Sequence, residues 1–175
     1  MSCYAPIQPY DGDLQCEPEA GGISKLVVFH DNLPSDPSDG QEIGTMISNN
    51  EATLIEDVKI GFAEPSEITG TSYVSCVPDA AINYDREATL LDAKVVPQNV
   101  EFYNSVNSAN RRNVAGVLFY ECSAERVTFV DKPVTFSGGR VVPETDDDSQ
   151  HFSYTLRWRS KNDPHIYSKP ANVFD

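Results

Sequence analysis

The sequence predicts a mainly β protein, an antiparallel β-sandwich or barrel of about 7–9 strands with one short flanking α-helix. Three observations carry this. Short apolar or alternating runs recur roughly every 10–20 residues, with Gly, Pro, Asn and Asp between them. Twelve Pro and ten Gly in 175 residues suit a chain that turns often. Phe152 to Lys161 alternates almost without fault: Phe152, Tyr154, Leu156 and Trp158 on one side, Ser153, Thr155, Arg157, Arg159 and Lys161 on the other. Successive strand side chains point to opposite faces, so this segment is a strand with an aromatic inner face and a basic outer one.

Taken along the chain, residues 1–20 are rich in Pro, Gly, Asp and Glu and read as an N-terminal arm. Residues 21–161 form the predicted β-sandwich or barrel domain, and 162–175 a C-terminal extension. The first strand is Ile23 to His30, followed by a loop, Asp31 to Gln41, whose NLPSDPSDG is turn chemistry with no packing value. Apolar runs then follow at Ile43–Ile47, Thr53–Phe62, Ser72–Ile82, Ala88–Val96, Val114–Cys122 and Val127–Phe136, and Phe152–Ser160 closes the series. Val114–Cys122 is apolar on both faces, which places it centrally and covered on both sides. Ser123-Ala124-Glu125 is short enough to join it to the next run as an antiparallel hairpin. Between Gln98 and Arg112, Phe102, Tyr103 and Val106 recur at helical spacing, predicting a short helix on a sheet edge that Asn110–Asn113 would end. The two ends and the loop Pro143–Gln150 are where the chain could reach a neighbour.

Charge and cysteines narrow the function classes. A formal net charge of −14, from 27 Asp and Glu against 13 Lys and Arg, argues against tight binding to phosphate backbones. No apolar stretch approaches the roughly 18 residues of a membrane span, and MSCYAPIQPYDGDLQC has neither the basic start nor the apolar core of a signal peptide. Cys3, Cys16, Cys76 and Cys122 are far apart, and reduced thiols are expected. Cys76 and Cys122 read as small core residues; Cys3 and Cys16 could staple the arm, but without a close His pair they make a weak zinc motif.

The search for chemistry finds no recognised motif. His30, His151 and His165 share no ligand spacing with a Cys or a carboxylate, and no nucleophile elbow or phosphate-cradling glycine loop is present. No enzyme activity, metal or cofactor is therefore expected. Asp146-Asp147-Asp148 suits either a solvated loop tip or a hard cation, without the ladder of an EF-hand. The basic strand face is either a solvated outer surface guarding an edge or a partner contact. On the second reading Arg157, Arg159 and Lys161 meet Asp146, Asp147 and Asp148 of an adjoining copy, and head-to-tail repetition closes a ring.

Several passages carry a family resemblance: CEPEAGGISKLVVF, AINYDREATLLDAKV, GVLFYECSAERVTFVDKPVTFSGGRVVPETDDD and LRWRSKNDPHIYSKPANVFD. Together they resemble virion structural proteins of tailed bacteriophages, especially those of gut Bacteroides-type bacteria, with tail tube or head–tail connector as the closest role. The resemblance implies a β-barrel or sandwich with a flanking helix, in rings, most often hexamers, that stack into a conduit. It also implies contacts with neighbouring virion proteins, DNA only as passing cargo, and a virion location after assembly in the bacterial host cytoplasm. Such proteins line the channel with a long amphipathic hairpin; the nearest match is Thr53–Phe62 with Ser72–Ile82, joined by a loop containing Glu64, Pro65, Glu67 and Gly70. The competing expectation is a β-sandwich binding or decoration module, adhesin-like or capsid-attached, that recognises a cell or capsid surface through its loops.

Overall fold

Strand β1 (Ile23–Phe29) organises the sheet, and its sequence ISKLVVF shows why. From Leu26 onward every side chain is apolar and fully buried, so both faces require a cover. The computed structural model describes residues 22–70, 80–121 and 124–175. In it, β1 pairs along one edge with β6 (Gly116–Glu121). Its other edge is shared by β2 (Ala52–Ile55) and, through the single rung Ile23↔Ile60, β3 (Lys59–Phe62). Outward from β6 lie β7 (Arg126–Val130) and then β10 (His165–Ser168). Beyond β3 come β5 (Ala80–Asp92), β9 (His151–Ser160) and β8 (Thr135–Val141), while β4 (Ser66–Gly70) runs beside the first part of β5. Every strand pair is antiparallel.

The one-rung link at Ile23 lets the sheet fold over on itself, and an isolated bridge between Val114 and Val134 ties the layers together a second time. The sheet is not closed into a barrel, and two layers result. One is β2-β1-β6-β7-β10 and the other β3/β4-β5-β9-β8. Between them lies the larger apolar cluster, in which Leu26, Val28, Val117 and Phe119 meet Leu90, Phe136, Phe152, Tyr154, Leu156 and Trp158. A second cluster covers the opposite face of the β1 layer, where Val27, Phe29, Leu118, Tyr120 and Phe129 pack on Ile43, Met46, Val173 and Phe174.

The predicted fold class holds, with differences of detail that have physical causes. Ten strands rather than 7–9 occur among the described residues, because single apolar runs are split at corners. Thr53–Phe62 breaks at Asp57, whose φ of 55° carries the chain from the β1 layer to the other; short polar residues tolerate that left-handed conformation. Val127–Phe136 breaks at Asp131-Lys132-Pro133, where the chain crosses between layers again. Ile43–Ile47 is not a strand but lies in helix α1 (Gly40–Ser48). The supposedly inert loop before it supplies the start signal: the Asp39 side chain accepts from the Gln41 and Glu42 amides at 2.9 and 3.3 Å, capping the helix. That loop also buries Pro34 and Pro37. The predicted helix is α2 (Pro97–Val106), ending at Asn107 rather than Asn110.

The expected C-terminal extension is largely part of the fold. β10 pairs with β7, Phe174 stacks on Tyr120 with ring centroids 4.8 Å apart, and the Lys25 ammonium donates to the Phe174 carbonyl at 2.9 Å. A Cβ added to Gly40 would fall 1.9 Å from the Ala171 carbonyl oxygen, so α1 sits directly against this segment. The N-terminal arm, the four cysteines and most of the Ser72–Ile82 run lie outside the described residues. Phe174→Ala should cost roughly 3 kcal/mol in chemical denaturation, the usual cost of emptying a buried aromatic site; a loss below about 1 kcal/mol would show that the tail is dispensable.

Candidate functional site

The site is built on two strands whose alternation places charge on both faces. In β5 the inward set is Arg86, Ala88, Leu90 and Asp92, all buried, so an Arg begins and an Asp ends an otherwise apolar stripe. In β9 the inward set is Phe152, Tyr154, Leu156 and Trp158. Register sets Arg86 directly opposite Trp158. These two residues occupy the mouth of the sandwich, where Trp158 meets Phe62 and Phe119 at centroid distances of 5.9 and 6.4 Å.

On the outer face the basic stripe behaves differently from a row of free cations. Arg157 lies opposite Glu87 and Arg159 opposite Asp85, and the guanidinium nitrogens reach those carboxylates at 2.8 and 2.6 Å. The carboxylates nearest to both arginines are thus on their own chain. All four side chains are substantially exposed, so each pair fixes local register more than it stabilises the fold, at about 0–1 kcal/mol. Lys161, beyond the end of β9, is exposed, and so are Asp146, Asp147 and Asp148 in the β8–β9 connection. The structure does not bring these two groups of residues together within one chain, because they attach at opposite ends of β9.

A groove of about 740 Å³ opens where β8 leaves β9. Strand β8 pairs with β9 only as far as Arg157, so Trp158 and Arg159 have β5 on one side and no strand on the other. The walls carry Arg86, Arg112, Lys132, Arg157 and Arg159 against Asp85 and Glu87. Five of the chain's thirteen Lys and Arg therefore gather in one place on a protein of net charge −14. A smaller groove of about 360 Å³ adjoins it, sharing Lys132, Trp158 and Arg159 and adding Lys161 and His165. Arg112 and Lys132 are exposed, and among the described residues neither is held by a carboxylate.

Two donors at this mouth lack an acceptor among the described residues. Arg86 is 7 % exposed, and one terminal nitrogen of its guanidinium pairs with Asp163, while its head group lies 5.2 Å from the centre of the Tyr84 ring. Its Nε, however, is buried without a hydrogen-bond partner, and so is Nε1 of Trp158, which is 5 % exposed. An unsatisfied buried donor costs about 1–3 kcal/mol, and native proteins retain few of them. Both atoms are closed to solvent, and it is the exposed cations around them, Arg112 and Lys132, that favour anionic groups at this mouth.

Other polar clusters have structural roles. The Tyr103 hydroxyl donates to Asp92 at 2.7 Å, and the Lys94 ammonium lies 3.0 Å from the other oxygen of the same carboxylate, which anchors α2 to β5. Burial, reinforced by the neighbouring carboxylate, pushes the Tyr103 hydroxyl well above the ordinary phenol range. His30 bridges the Thr53 hydroxyl at 2.7 Å and the Asn50 carbonyl at 3.0 Å. His151 Nδ1 lies 3.2 Å from the Ser149 carbonyl oxygen, and His165, on β10, lines the smaller groove. Among the described residues no group of three His, Cys, Asp or Glu is placed to hold a metal ion.

Sequence reasoning found Arg157, Arg159 and Lys161 but missed Arg86, Arg112 and Lys132. A signal for Arg86 was present: counting back in twos from Leu90 through Ala88 places it on the buried face. Arg112 and Lys132 come from two separate connections, and only the fold joins them. Comparison with protein-family models, curated proteins and solved structures finds no match.

The raised Tyr103 pKa has a defined consequence. Its contribution to stability is complete below about pH 10, the ordinary phenol value, and is lost as pH climbs beyond that toward the folded-state pKa. In an absorbance titration, at least one of the eight tyrosines should stay protonated until the fold gives way. Tyr103→Phe should cost about 1–3 kcal/mol by leaving Asp92 short of a donor. Titration of all tyrosines together near pH 10 in the folded protein would contradict this.

Proposed function

We propose that the chain is a non-enzymatic virion structural protein, a ring-forming tail tube or head–tail connector subunit that builds a conduit for DNA through repeated subunit contacts. The observation that carries this reading is the long hairpin formed by β3 and β4 against β5. Lys59–Phe62 pairs with Ala88–Leu91, and Ser66–Gly70 continues the same arm along Ala80–Asp85. The arm differs from the sequence expectation, in which Thr53–Phe62 turned at Glu64–Gly70 into the next run. Instead Ser66–Gly70 keeps to the same edge of β5 after a break at residues 63–65 that shifts the register by one, and residues 71–79 lie outside the described residues.

The arm extends beyond the sandwich body. Strand β9 accompanies β5 only from Tyr84 onward, so the rungs Ile68↔Asn83, Thr69↔Ala81 and Gly70↔Ala80 belong to β4 and β5 alone. At about 3.3 Å per residue, this free portion is roughly 10–13 Å long. Glu64 and Glu67 are exposed at its base, Glu67 opposite Tyr84 where β9 still accompanies β5. A protruding two-stranded arm with exposed carboxylates at its base suits the wall of an acidic channel, which would not retain a passing polyanion. The two-layer body, rigid through its double core, would hold such arms in fixed register around an axis.

Purified protein should form closed rings of uniform order in negative-stain images, with matching mass by light scattering. A protein that remains monomeric at its highest soluble concentration, yet binds cells or capsids, would instead support a decoration or adhesin-like module. In rings of the conduit kind, Glu64→Lys with Glu67→Lys should preserve assembly but introduce salt-sensitive DNA retention. Rings that remain indifferent to DNA would place the arm away from the lumen.

A further inference from the structure

The groove beside Trp158 gathers exposed cations, and the chain carries one segment whose charge complements them. We infer that the groove receives the acidic β8–β9 loop, Glu144 to Asp148, of a second copy of this chain, the carboxylates of Asp146–Asp148 meeting Arg112 and Lys132 at the rim beside Trp158. This rests on the assembly reading above and names the contact that would drive it.

The loop of the same chain does not line the groove. It hangs from the Val141↔His151 rung and its tip, five residues from either end, reaches at most about 18 Å, whereas Trp158 lies seven residues along β9, about 23 Å away. The loop of a second copy carries no such limit. Two patches at opposite ends of one strand make a head-to-tail contact, which closes into a ring when the rotation between copies permits and otherwise grows as a filament. Chemistry points the same way. Glu144, Asp146, Asp147 and Asp148 are all exposed, and they form the chain's densest run of carboxylates. The groove offers two exposed rim cations, Arg112 and Lys132, that have no carboxylate partner among the described residues. Arg157 and Arg159, already paired to Glu87 and Asp85, contribute positive potential rather than the primary contact.

Trp158 is the only tryptophan in the chain, so its emission reports on this site alone. A peptide of residues 143–150 titrated into the full-length protein at low salt should produce a saturable change in that emission. Raising the salt to physiological strength should weaken binding roughly tenfold, and replacing the three Asp of the peptide with Asn should abolish it. Arg112→Glu with Lys132→Glu, both exposed and structurally undemanding, should remove peptide binding and ring formation together. Mixing that double variant with Asp146→Lys, Asp147→Lys, Asp148→Lys protein should restore contact between the two. No emission change at saturating peptide would overturn the inference, as would equal binding of the Asn peptide or preference for inorganic phosphate or an oligonucleotide. Rings that persist in the Arg112/Lys132 variant would overturn it while leaving the assembly reading intact. Peptide binding by a wild-type protein that never forms rings would support the groove and count against the conduit.

Discussion

The double burial of β1 and β6 is the constraint from which the rest of the architecture follows. Leu26, Val27, Val28 and Phe29 face Phe119, Leu118, Val117 and Gly116 across the ladder, and the paired apolar side chains project to both sides. A sheet layer of this kind is stable only when each face is removed from water. One cover is the second layer, carried round by the single rung at Ile23. The other is assembled from α1 and the last residues of the chain, which is why Gly40 must lie against Ala171 and why Phe174 is driven onto Tyr120. The outer face of the second layer needs no cover, because β9 places Ser153, Thr155, Arg157 and Arg159 there.

Much of this was legible in the residues themselves. The all-apolar Val117-Leu118-Phe119-Tyr120 stretch marked a central strand, and the alternation from Phe152 to Ser160 matches the observed burial residue by residue. Failures fell where period alone is ambiguous or where a corner interrupts a run. Ile43 to Ile47 is too short to separate strand from helix, and the deciding signal was Asp39 followed by Glu42, a capping pattern inside a loop dismissed as turn chemistry. Nothing in Thr53–Phe62 demanded a break until Asp57 took positive φ. Pairing partners were hidden for a more general reason: register is a long-range property. Glu87 and Asp85 therefore could not be matched with Arg157 and Arg159 in advance, although all four were visible as charges.

The candidate site arises from the same folding-over that creates the core. Two layers joined at corners must end somewhere, and at the end beyond Ala88 and Leu156 the inward stripe meets solvent. An apolar pair there would leave a greasy rim; a fully polar pair would leave the core open. Arg86 opposite Trp158 combines apolar bulk with a charged head group at the end of the stripe, an arrangement that closes the core while ending it on a polar residue. The Asp163 carboxylate, itself exposed, neutralises the Arg86 guanidinium while the mouth is uncovered. Because that carboxylate engages a terminal nitrogen, it leaves Nε unoccupied.

Charge segregation then gives direction to any contact at this mouth. A uniformly acidic protein repels its own copies, and at −14 that repulsion opposes random association. Concentrating five cations at one end of β9 and the densest carboxylate run at the other makes a single orientation attractive against a repulsive background. Individual exposed pairs contribute little, so the rim cations would select register and speed encounter more than they would set how long a contact lasts. On the proposed assembly, such a division would hold free copies apart by repulsion while allowing repeated, identical contacts. A protein whose net charge and local patch shared one sign would lack the repulsive half of this arrangement, and with it the bias toward one geometry over many.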